Sequence, residues 1–67
     1  MSVAKVTEIT STSTVSFEDA IKLGSERASK TLRNVKGAWV QGMKVDIKDG
    51  KITDYRVDMK ITFVLTD

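Results

Sequence analysis

Along the last third of the chain, Tyr55, Val57, Met59, Ile61, Phe63 and Leu65 alternate with the polar positions Asp54, Arg56, Asp58, Lys60 and Thr62. A two-residue period of this length is the mark of a β-strand with one buried face, and it predicts a strand over Ile52 to Leu65. An earlier strand is predicted over Val3 to Thr10, where Val3, Val6, Thr7, Ile9 and Thr10 are β-branched. The run Ser11-Thr12-Ser13-Thr14 is expected to end it.

Between the strands the period changes. Phe17, Ala20, Ile21, Gly24, Ala28, Thr31 and Leu32 recur at helical spacing, opposite a face of Lys22, Glu26, Ser29, Lys30 and Arg33. Ser16, followed three residues later by Asp19, is a capping arrangement for a helix running to about Arg33, and Val15 and Ala20 are placed to staple its entry. Glu18 with Lys22 and Glu26 with Lys30 are spaced to pair along it, and Asn34 is a plausible stop.

A further strand spans about Gly37 to Ile47, and Asp49-Gly50 after it is the strongest hairpin signal in the chain. With a two-residue turn there, Lys48 faces Lys51, Val40 faces Met59 and Ala38 faces Ile61. Parity then assigns Gly37, Trp39, Gln41, Met43 and Val45 to the other face, together with Asp54, Arg56, Asp58 and Lys60. The predicted fold class is α+β, with the order β-α-β-β and a three-stranded antiparallel sheet wrapped on one helix.

Length turns this pattern into a question about partners. One domain over residues 1–67 is expected, and a core so small generally needs a disulfide, a metal or oligomerisation. The sequence has neither cysteine nor histidine, so disulfides and thiolate or imidazole metal sites are excluded and a homo-oligomer is expected. Eleven Lys and Arg against nine Asp and Glu, interspersed, give a net charge of +2, with no basic stripe and no stacking platform for nucleic acid. No stretch approaches the roughly 20 apolar residues of a membrane span, and no apolar leader is visible, so a cytoplasmic location is the expectation.

Several segments resemble the dodecin family. Glu8-Ile9 and Thr12-Ser13 fit a strand-end pattern E-[LI]-x-G-T-S, with Ser11 at the usual glycine. Arg27-Ala28 and Lys30-Thr31-Leu32-Arg33 resemble a helix-end pattern R-A-x-K-T-L-R, and Tyr55, Val57, Phe63 and Leu65 fit the last strand. The succession needs no gaps. This resemblance implies a homododecamer that, in the best-known branch, stores flavins. There a tryptophan soon after the helix stacks on the isoalloxazine ring and a glutamine in the last strand hydrogen-bonds its edge. Here those positions are Gly37 and Arg56, and Tyr55-Arg56-Val57 looks more like the branch called calcium dodecin, which lacks the flavin sandwich.

Trp39 lies two residues past the vacated tryptophan position, on the same face and about 6.5 to 7 Å away. Gly37, Trp39 and Arg56 are therefore the candidate cofactor-binding residues, and flavin (riboflavin, FMN or FAD) is the leading ligand by resemblance. Two other readings of Trp39 stay open: a surface aromatic under the Lys60 stem, or an indole buried between subunits. Arg56 offers only donors and a fixed charge, suiting a phosphate, a carboxylate, or Asp54 and Asp58 of a neighbouring chain. No catalytic residue is assigned: there is no nucleophile with a base, and Asp46 and Asp54 near the hairpin read as solvated charges. No D-x-D-x-D-G calcium loop is present, and no metal ligand is assigned.

Overall fold

The elements follow the expected order: β1 (Val3–Ser13), α1 (Phe17–Thr31), β2 (Val35–Lys48) and β3 (Lys51–Leu65). They belong to a computed structural model that describes residues 2–65, so three residues of the expected domain lie outside the described residues. β3 is the centre of an antiparallel sheet ordered β1-β3-β2. Its alternation explains this place, because only a central strand pairs along both edges while its apolar face meets the helix. Val57, Met59 and Ile61 are fully buried there against Ala20 and Ala28, each apolar side chain contributing about 1.5 to 3 kcal/mol by burial.

The helix touches the sheet through small residues. Ala20, Gly24 and Ala28 form its buried stripe, and a Cβ on Gly24 would stand 2.6 Å from Met59 Cε and 2.9 Å from Ser11 Cβ. Glycine is thus required by contact, and α1 lies over β1 and β3 more than over β2. Ser16 caps the helix as expected, its Oγ accepting from the Asp19 N–H at 2.9 Å. Val15 stays exposed, so no hydrophobic staple forms. Neither expected i,i+4 ion pair forms either; Arg56–Asp46 is the ion pair among the described residues.

Two boundaries differ from expectation. β1 continues through the Ser/Thr run to Ser13, since Ser11, Thr12 and Ser13 pair with Val57, Arg56 and Tyr55. Ser13 is buried; its hydroxyl donates to Asp19 at 2.6 Å and accepts from the Val15 N–H at 2.9 Å, tying the strand end to the cap. Tertiary pairing has overridden local turn preference. At the other end α1 stops at Thr31, with the Leu32 N–H closing on the Ala28 carbonyl, and Asn34 adopts a left-handed φ of 60°. The Val64 N–H then binds the Asn34 carbonyl at 3.0 Å, so β2 begins at Val35, two residues early.

The hairpin register corrects the face assignment. Lys48 pairs with Lys51, Val40 with Met59 and Ala38 with Ile61, as expected. Between these ends the pairing slips by one residue and returns, because Thr53 is an extra residue in β3 and Gln41 an extra residue in β2. Within the slipped segment Met43 faces Val57 and Val45 faces Tyr55, whose ring packs edge-on against Phe17 of the helix at 5.1 Å. Met43 and Val45 therefore belong to the helix side of the sheet, not to the face of Arg56. Lys44 and Asp46 replace them, facing Arg56 and Asp54.

Candidate functional site

With the bulges in place, the helix-free face can be read rung by rung. On β3 it carries Thr62, Lys60, Asp58, Arg56 and Asp54. On β1 their partners are Val6, Glu8, Thr10 and Thr12 for the first four, and on β2 they are Gly37, Trp39, Gly42, Lys44 and Asp46. Every rung except that of Thr62, flanked by Val6 and Gly37, sets a polar side chain on a neighbouring strand beside its β3 residue, and the two ends of the face differ in character.

The hairpin end is closed on itself. Arg56 Nη2 donates to Asp46 Oδ2 at 2.9 Å, with both side chains about one-third exposed. Thr53 Oγ1, at the bulge, stands 3.3 Å from the Asp46 backbone carbonyl oxygen and 3.2 Å from Asp54 Oδ2, so its single proton is shared between the two acceptors. Arg56 thus satisfies a carboxylate of its own chain, while its Nε is buried without a partner. Midway, Thr10 Oγ1 donates to Asp58 Oδ1 at 2.9 Å, beside a shallow hollow of about 440 Å³ lined by Glu8, Thr10, Gln41 and Asp58.

The far end is open. The Trp39 indole is 69 % exposed, and among the described residues nothing lies within 4 Å of where a Cβ on Gly37 would stand. Lys60 Nζ stands 6.0 Å from the centre of the indole ring. Val6, also exposed, shares this end of the face opposite Thr62. Of the three sequence-predicted residues, Gly37 and Trp39 are brought together and Arg56 is not. It sits four residues from Lys60 along β3, about 13 Å from the rung of the indole.

Sequence reasoning missed Lys44 and Asp46 as members of this face. Gly42 in mid-strand was the available signal, since an isolated glycine in a strand often accompanies a bulge. A second concavity, about 610 Å³, lies on the helix side between α1 and the free edge of β1, lined in part by Thr7, Ile9, Leu23, Arg27 and Thr31. No group of three or more acidic, cysteine or histidine side chains that would hold a metal ion occurs among the described residues. No helix there is long and apolar enough to cross a membrane.

A sequence profile for the family described as Dodecin matches residues 3–66. No curated protein matches the chain. Among solved structures, a dodecin from Streptomyces davaonensis is 35 % identical, with a TM-score of 0.94 over 98 % of this chain and 97 % of its own. A variant of the Thermus thermophilus dodecin is 30 % identical over the whole of both chains, with a TM-score of 0.94. The Mycobacterium tuberculosis calcium dodecin, described as a calcium chelating immunodominant antigen with a novel calcium-binding site, is 29 % identical. It matches with a TM-score of 0.82 over 96 % of this chain and 91 % of its own.

Proposed function

This chain belongs to the dodecin family, and from that premise we propose that it is a non-catalytic homododecamer that stores a flavin on the helix-free face of its sheet, with Trp39 as the stacking platform. Family and fold make it a small dodecin-type ligand-binding protein; the ligand, the stacking residue and the assembly are the proposal. Its main support is the exposed indole beside the open space at Gly37. A large apolar ring left in water on a sheet face has area to lose to a planar ligand, and aromatic stacking adds about 0.5 to 1.5 kcal/mol beyond that burial.

The residues present fit a flavin ring in one respect and not in another. Trp39 and Gly37 offer a flat apolar surface with room beside it, whereas Arg56 is held by Asp46 and lies too far along β3 to address the edge of a ring seated on the indole. The ring would therefore sit one pair of residues along β2 from the seat that the family resemblance implies. A bound flavin brings its own redox chemistry; the protein binds and shields it. Assembly is supported by the outer edges of β1 and β2, which pair with no strand among the described residues, and by exposed Leu23, Ile47 and Ile52.

A second reading keeps the assembly but replaces flavin with an ion. It draws on the calcium-chelating relative and on the oxygen-rich hollow of Glu8, Thr10, Gln41 and Asp58, which supplies two carboxylates. Riboflavin fluorescence titrated with the wild type, Trp39→Ala and Gly37→Trp separates the readings. Stacking on Trp39 predicts quenching by the wild type that weakens by one or more decades in Trp39→Ala. Quenching only by Gly37→Trp, together with calcium binding by the wild type, supports the ion instead.

A further inference from the structure

The lysine beside Trp39 does not take the obvious partner. Lys60 faces Glu8 across the β1–β3 ladder, where directly opposed opposite charges commonly pair. No contact within 4.0 Å forms between them, and the side chain instead brings its ammonium to 6.0 Å from the centre of the Trp39 ring on the other neighbouring strand. Arg56 is engaged with Asp46 and Asp58 with Thr10, and Lys44, which makes no ion pair among the described residues, lies two rungs nearer the hairpin. A molecule resting on the indole therefore meets, on the indole's own rung, a cation with no carboxylate partner among the described residues, on a half-covered stem fixed to the central strand.

We propose that Lys60 is the specificity-determining residue of this site and selects ligands that join a planar aromatic ring to an anionic group, so that phosphorylated flavins are held in preference to the neutral riboflavin. The inference rests on the stacking role of Trp39 and adds to it the charge that the ligand must carry. A phosphate within reach of Nζ gains a charge-assisted hydrogen bond, which a neutral ring cannot make. The ammonium gives up only a distant contact with the indole, at the outer limit of cation–π range. Glu8 on the far side of Lys60 keeps the patch from being a general anion trap, because a phosphate without a ring to seat it would meet that carboxylate as readily as the ammonium.

The test compares FMN with riboflavin, both read by flavin quenching, on the wild type, Lys60→Gln, Lys60→Arg and a remote control, Lys48→Gln. The expected result is FMN bound about fivefold more tightly than riboflavin at low ionic strength, the range of a partly exposed ion pair, with the preference shrinking at roughly 0.5 M salt. The preference disappears in Lys60→Gln, persists in Lys60→Arg and is unchanged in Lys48→Gln, the variant whose riboflavin affinity stays near that of the wild type. Equal binding of the two flavins by the wild type, or a preference that survives Lys60→Gln, overturns the role of Lys60 and leaves stacking on Trp39 standing. Absence of quenching with either flavin overturns both.

Discussion

Exchanging a glycine across the helix–sheet contact is a sharp test of the packing. Alanine at Gly24 improves helix propensity by about 1 kcal/mol, so propensity alone predicts stabilisation. The structure predicts the reverse. The new methyl would stand 2.6 Å from Met59 Cε and 2.9 Å from Ser11 Cβ. The methionine tip can swing away, but Ser11 Cβ is fixed to a strand paired with Val57 and has no rotamer that moves it. Overpacking of this kind costs about 1 to 3 kcal/mol, leaving Gly24→Ala destabilised by up to about 2 kcal/mol after the propensity gain. Ser11→Gly alone costs about 0.5 to 1 kcal/mol through strand entropy. Combined, the two changes move the glycine from helix to strand and remove the clash with Ser11, so the double variant should be more stable than the sum of the singles by at least about 0.5 kcal/mol. Urea unfolding of the four proteins at one fixed protomer concentration measures this, since the proposed assembly would make apparent stability concentration-dependent. Additive costs, or a Gly24→Ala protein more stable than the wild type, would refute the contact.

Gly50→Val places a β-branched residue at φ 76° in the hairpin turn beside Asp49 at φ 52°, and should lower stability by about 1 to 3 kcal/mol in thermal unfolding. Ser13→Ala should cost about 1 to 3 kcal/mol, because it strands the Val15 N–H and removes the donor to Asp19; Thr14→Ala, on an exposed neighbour, should cost little by the same assay. Asp46→Asn releases Arg56 and should change stability by no more than about 1 kcal/mol, given the exposure of both groups, with an effect that shrinks as salt is raised in denaturant titrations.

Much of the fold was legible because it rests on period and punctuation. The alternation of β3, the Ser16 cap and the Asp49-Gly50 turn each have a local physical cause, and each holds. Ser13 misled because a Ser/Thr run has the chemistry of a turn, and only the pairing with Tyr55 makes it strand. The outer face was half legible for a related reason. Parity counting carries a face assignment along a strand only while no residue is inserted, and Thr53 and Gln41 are both insertions. They compensate, so the far rungs Trp39–Lys60 and Gly37–Thr62 fell where parity put them, while Met43 and Val45 exchanged sides with Lys44 and Asp46. That Asp46 is the partner of Arg56 follows from the exchange.

Copies of this chain are proposed to assemble, and the assembly to carry flavin on Trp39. Sedimentation velocity of a mixture of the protein and FMN, recorded at the flavin's visible absorption band, examines both parts at once. The expected result is flavin absorbance that travels with a boundary of dodecamer mass in the wild type, and stays behind with free ligand in Trp39→Ala while the protein boundary is unchanged. A monomeric boundary, or flavin that fails to move with the wild-type particle, would contradict it.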